Sequence, residues 1–167
     1  MRQSISKAFP APGHDHHSCI ETALQEAERL CREQGLRLTP LRRQVFELVW
    51  ESHQPITAYA LLDKLVRLGH RAQAPTVYRS LEFLMDSGLI HRIESMNAYV
   101  GCNQPRHGHD VGLFICDVCG DAAELSDGAI AEGVARAAQR IGFTVGARVI
   151  EVRGTCRTCT EHSVADR

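Results

Sequence analysis

Four of the seven cysteines in this 167-residue chain form two Cys-x-x-Cys pairs, Cys116/Cys119 and Cys156/Cys159. In a reducing compartment, clustered thiols are more often metal ligands or catalytic groups than parts of a disulfide framework. Two such turns, each at a strand end, can present four thiolates to one tetrahedral Zn²⁺ ion. The 36 residues between Cys119 and Cys156 exceed the usual ribbon spacing, but they read as a helix and a returning strand, so the ends can meet. A small domain gains stability from such a site. The rival is a thioredoxin-like redox pair, which wants one low-pKa cysteine at a helix N-terminus and does not need a second matching pair.

A second set of donors is looser: His91, Cys102, His107 or His109, and Glu124. One sulfur, two nitrogens and one oxygen suit four-coordinate zinc, and the thiolate argues against a hard-ligand iron or manganese site. Taken singly, each has an ordinary reading: a hairpin surface histidine, a small buried hydrophobe, a solvated strand charge. Near the N-terminus, His14, His16 and His17 precede Cys19. They could bind metal, and a bare tail accounts for them equally well.

Four helices and a hairpin must position the first members of the second set. Ile20, Ala23, Leu24, Ala27, Leu30 and Cys31 recur at helical spacing up to Glu33, with Gly35 as a stop. Thr39-Pro40 reads as an N-cap followed by proline at the first helical position, opening a helix with Leu41, Val45, Leu48 and Val49 on one face. Thr57 caps a third helix built on Leu61, Leu62, Leu65 and Leu68. A fourth runs from about Pro75-Thr76 to Gly88 with Val77, Leu81, Leu84 and Met85 inward, which puts Arg79 outside. Two extended runs, Leu89–Glu94 and Ala98–Cys102, flank Ser95-Met96-Asn97 as a β-hairpin. Helices followed by a hairpin make a winged helix-turn-helix, whose recognition helix enters the major groove.

Beyond residue 103 the texture becomes that of a small α+β domain. Gly112–Cys116, Ala122–Leu125 and Ala147–Gly154 read as strands, and Asp127–Ile141 as an amphipathic helix. The expected division is a flexible His-containing tail at 1–18, a winged-helix domain at 19–102, a hinge at 103–110, a dimerisation and metal-binding domain at 111–160 and a tail at 161–167.

Charge gives DNA binding no help. The net charge is −1, and the nine Lys/Arg between Glu21 and His91 meet nine acids, so any interface must rest on local placement. No apolar run approaches a membrane span and the start lacks a signal-peptide stretch, so a cytoplasmic protein without membrane contact is the default expectation. No Ser/His/Asp order, phosphate loop or spaced carboxylate pair suggests an enzyme.

The chain resembles the ferric-uptake-regulator family, and within it the zinc-uptake branch. The resemblance rests on Leu38-Thr39-Pro40-x-Arg42, Pro75-Thr76-Val77-Tyr78-Arg79-Ser80-Leu81, and His91-x-x-Glu94-Ser95-x-Asn97-x-Tyr99-Val100-x-Cys102. Phe114-Ile115-Cys116-Asp117-x-Cys119-Gly120 and Cys156-x-x-Cys159 complete it. It implies a zinc-sensing repressor of zinc-uptake genes that binds a palindromic, AT-rich operator as a homodimer with two zinc ions per subunit. The structural zinc would be held by Cys116, Cys119, Cys156 and Cys159. The regulatory zinc would be held by His91, Cys102, His109 and Glu124, with His109 fitting the family's pattern better than His107. Cys102 separates the zinc branch from the iron branch. Arg79 would read a base, Tyr59 would touch a base or phosphate, and Thr76 and Tyr78 would join the DNA-facing set. The chain departs from the family in its nearly absent His/Cys-rich C-terminal tail, its His-bearing N-terminus, and Val66 where an arginine partner for Asp63 is expected.

Overall fold

The computed structural model describes Phe9 and residues 16–105, 112–125, 127–146 and 148–165. The chain divides into two compact units, one spanning Pro12–His107 and the other including Gly108–Arg167.

The N-terminal unit begins with α1 (His16–Glu33), followed by α2 (Pro40–Trp50), β1 (Ile56–Thr57), α3 (Ala58–Arg67), α4 (Ala74–Asp86), β2 (Ile90–Ile93) and β3 (Ala98–Gly101). Helix α1 starts four residues before the expected Ile20, so His16, His17 and Ser18 belong to its first turn and not to a tail. Residues 1–15 other than Phe9, with His14 among them, lie outside the described residues. Two caps set the helix starts: Thr39 Oγ1 accepts from the Arg42 N–H at 3.4 Å, and Thr57 Oγ1 from the Ala60 N–H at 3.2 Å. The inward stripes meet in one core of Leu24, Ala27, Val45, Phe46, Leu61, Leu65, Val77, Leu81 and Leu84. On α4, Val77, Leu81 and Leu84 are fully buried, while Ser80 takes the fourth inward place expected for Met85 and donates to Thr76 O at 2.9 Å. Burying each such aliphatic side chain stabilises the unit by about 1.5–3 kcal/mol.

The three strands form an antiparallel sheet in the order β1-β3-β2, with Ile56 opposite Tyr99 and His91 opposite Val100. The turn between β2 and β3 is a short 3₁₀ segment, Glu94–Met96, closed by Asn97 at φ 46°. The two-residue β1 was not anticipated; it is too short to carry an alternating pattern. Gly101 packs against the Trp50 indole so closely that a Cβ there would overlap the ring. The position therefore requires glycine.

The C-terminal unit contains β4 (Gly112–Cys116), β5 (Ala122–Leu125), α5 (Gly128–Arg140), β6 (Ile150–Gly154) and α6 (Arg157–Ala165). Its sheet has the order β5-β4-β6, antiparallel between β4 and β5 and parallel between β4 and β6. A parallel pair needs a crossover, and α5 lies in that connection, capped by Asp127 Oδ1 accepting from the Ala129 N–H at 2.8 Å. Strand β6 starts at Ile150, later than the expected Ala147. Helix α6 replaces the tail expected at 161–167 as far as Ala165. The fold is α+β, a winged helix-turn-helix unit followed by a small α+β unit.

Candidate functional site

The parallel register of β4 and β6 pairs Cys116 with Gly154, so the chain leaves both strand ends side by side. Each exit carries a Cys-x-x-Cys turn. The first closes tightly, with the Gly120 N–H donating to Cys116 O at 3.0 Å and Gly120 at φ 79°. The second enters α6, where the Thr160 N–H donates to Cys156 O at 3.0 Å. Sulfur atoms of Cys116, Cys119, Cys156 and Cys159 all lie within 4.8 Å of one another. Cys119 Sγ and Cys156 Sγ are 3.9 Å apart, and a tetrahedral Zn²⁺ with bonds near 2.3 Å requires sulfur separations of about 3.8 Å. The residues fit the ion.

The thiols are also tuned for it. Burial raises Cys116, but backbone N–H groups of Cys119, Cys156 and Val118 aimed at its sulfur outweigh that and lower it to about 6. Burial, with the Cys116 and Cys159 thiols beside it, pushes Cys119 up to about 12. Cys159 is raised by its hydrogen bond with the Cys156 thiol and by burial. One thiolate thus exists at neutral pH, and its neighbours hold their protons until a cation displaces them. The low-pKa sulfur is only 2% exposed, which suits a ligand and not a thiol that must attack an external disulfide. Outside the ligands, Arg153 grips Asp117 Oδ1 through Nε at 2.8 Å and Nη2 at 2.6 Å, bracing the first turn against β6. Nothing in the spacing of the cysteines pointed to that pair.

Of the second set, His91 lies on β2 and Cys102 directly after β3, where its N–H donates to Leu89 O at 3.1 Å. With His91 opposite Val100, the pairing makes His91 and Cys102 diagonal neighbours on one face of the sheet. Their ligand atoms lie within 4.8 Å. Glu124 belongs to the other unit, on β5 opposite Leu113. His107 and His109 lie outside the described residues.

The outer face of the winged helix carries the expected DNA-facing residues. Tyr59 in the first turn of α3 is 70% exposed, and Tyr78 on α4 is also exposed. Thr76 is half-buried in the first turn of α4. Arg79 is exposed, with Nε donating to Pro75 O at 3.3 Å, and among the described residues no carboxylate pairs with it. Other basic groups nearby are neutralised locally, Arg43 by Glu28 and Glu47 and Lys64 by Glu51. Local pairing, more than total charge, leaves Arg79 available.

The model of the ferric uptake regulator family matches residues 33–153. This chain belongs to the ferric uptake regulator family. A curated relative, the zinc uptake regulation protein of Escherichia coli (strain K12), is 39% identical over 141 residues, covering 83% of this chain and 81% of its own. Among solved structures, a zinc uptake regulator complexed with zinc and DNA is similar with a TM-score of 0.80 and 36% identity, over 87% of this chain and 97% of that one. Holo XcZur is similar with a TM-score of 0.76 and 40% identity, over 84% and 98%. The family match stops before Cys156, so the second half of the four-thiol cluster is read from the convergence of the sulfurs themselves.

One further feature of this family member had no signal at the level of single residues. In the C-terminal unit, Ile141, Phe143 and Val149 are 79%, 64% and 66% exposed, and Val152 is 40% exposed on β6. They cluster around a concave surface of about 700 Å³ between α5 and β6. Their spread through a loop and an edge strand hides the patch from any periodicity.

Proposed function

We propose that this chain is a zinc-sensing transcriptional repressor that binds palindromic, AT-rich operator DNA as a homodimer when zinc-loaded and turns off zinc-uptake genes. The observation that carries the choice of metal is Cys102 beside His91 on the wing sheet, with ligand atoms within 4.8 Å. A thiolate next to an imidazole favours zinc over the harder iron and manganese ions. Printed names of the relatives, a zinc uptake regulation protein and a zinc uptake regulator complexed with zinc and DNA, support the same reading.

In this account each subunit holds two zinc ions. One, on Cys116, Cys119, Cys156 and Cys159, staples the C-terminal unit. The other is regulatory and takes His91, Cys102, His109 and Glu124, donors drawn from both units and from the hinge at 103–110. Its binding fixes the winged helix relative to the dimerisation unit. That sets the separation and tilt of the two recognition helices, which must match half-sites about 34–36 Å apart. Zinc and operator then strengthen each other's binding equally, with a coupling of about 1–3 kcal/mol being typical. The exposed Ile141, Phe143, Val149 and Val152 supply the apolar surface for a second copy. Arg79 pairs with a guanine edge, and Tyr59, Thr76 and Tyr78 fix the register on bases and phosphates. The chain acts by binding, not catalysis, in the cytoplasm, where its thiols stay reduced.

A mobility-shift titration on an AT-rich palindrome at fixed salt, across buffered free zinc and then iron(II), tests the reading. Retardation with zinc alone is the expected outcome. Retardation with iron(II) at least as strong, or none with either metal, overturns the zinc assignment.

A further inference from the structure

The two metal sets leave unused a third group of donors, all within the N-terminal unit. The imidazoles of His16, in the first turn of α1, and His53, between α2 and β1, meet with ring centroids 4.6 Å apart and planes tilted by 38°. Both residues are half-buried. Cys19 follows His16 by three positions, which puts it one turn on along the same face of α1. Cys19 also lines a cavity of about 670 Å³ together with Trp50, the last residue of α2. Successive turns of α1 therefore face successive parts of the segment 50–53, and two imidazoles and a thiol gather at its start.

We propose that His16, His53 and Cys19 form a third metal site, for a borderline-soft divalent cation such as zinc. Two nitrogens and one sulfur are a donor set that zinc accepts, with the remaining position left to water. Two imidazoles bound to one zinc at about 2.0–2.1 Å have ring centres roughly 5 Å apart, close to the separation already present here. Side-chain rotation then suffices to aim one nitrogen from each ring at a shared ion. An ion held there cross-links the first turn of α1 to the segment that leads through β1 into α3, the helix carrying Tyr59. It reports zinc on the DNA-binding unit itself, separately from the regulatory set.

Zinc uptake by the full-length, reduced chain, measured against a chromophoric chelator, tests the site. The comparison is between wild type, His16→Ala/His53→Ala and Cys19→Ser. The double variant is expected to bind one ion fewer than wild type, and Cys19→Ser to hold that same ion at least tenfold more weakly. Equal uptake and affinity in all three overturns the proposal. Because the readout is a difference between variants, it does not depend on whether the His91/Cys102 set fills. Cys102→Ser run in parallel must lose a different ion, and loss of the same ion by both also overturns it. Ring-proton resonances of His53 in the wild-type protein provide a check free of folding defects. They should shift as the last equivalent binds, and unmoved resonances at saturation count against the site.

Discussion

The four-thiol cluster and the regulatory donors are both zinc sites on chemical grounds, yet they are built in opposite ways. Cys116, Cys119, Cys156 and Cys159 all sit in one unit, delivered by two turns that the β4–β6 pairing brings to one end of a sheet. His91 and Cys102 belong to the wing sheet of one unit and Glu124 to the other. A site confined to one unit can only stabilise it. A site whose ligands are divided between units can change how the units are used, so the first is suited to structure and the second to sensing.

The largest expected effect breaks the first half of that contrast. Cys156→Ser removes a buried ligand whose backbone N–H also supports the Cys116 sulfur at 3.3 Å. Structural zinc sites carry apparent free energies of about 10–16 kcal/mol. The variant is therefore expected to lose one zinc and the cooperative unfolding of the C-terminal unit, while the helical core around Phe46 and Leu81 stays folded. Zinc content and circular dichroism melting check this.

Acid should do the same reversibly. Cys116 is lowered to about 6 in the folded chain from an ordinary value of 9.0. Its contribution is therefore complete above pH 9 and fades as the pH falls towards 6, below which the thiolate is gone. Cys119, raised to about 12, works in the opposite direction at high pH. Zinc retention by the cluster should weaken steeply as the pH drops through about 6, as a chelator-competition series would show. Retention that does not change down to pH 5 contradicts the assignment of Cys116.

Much of this architecture is legible in the sequence, for physical reasons that differ from part to part. The caps at Thr39 and Thr57 and the inward stripe of α4 are short-range signals, and each appears where the spacing places it. The cysteine pairs could be read because four thiols in two short turns have few other uses. What could not be read depends on distant partners. Helix α6 follows directly from a ligand turn and has no apolar stripe, so the cluster and not a core determines its start. The close approach of Gly101 to Trp50 and the exposed surface around Phe143 exist only once the chain is folded. Where α1 begins is set by packing near His53, which local sequence does not report.

Smaller effects sharpen the DNA-facing side. Arg79→Ala should cost about 1–3 kcal/mol of operator binding and relax preference at one base pair, because a bidentate contact is lost. Competition with single-base operator variants would reveal that relaxation, and uniform weakening across all sequences would reassign Arg79 to a phosphate. Thr57→Ala removes the cap of α3 and should lower stability by about 0.5–2 kcal/mol. Its denaturant midpoint should fall while zinc content stays at the wild-type level.

The most direct test of the division of labour is Cys102→Ser. Operator affinity would be measured against buffered free zinc, in protein whose four-thiol zinc is verified by metal analysis. The account predicts a protein that melts like wild type, keeps its structural zinc and loses at least tenfold in the zinc dependence of DNA binding. Undiminished zinc-dependent binding would contradict it and move the sensing function away from the wing.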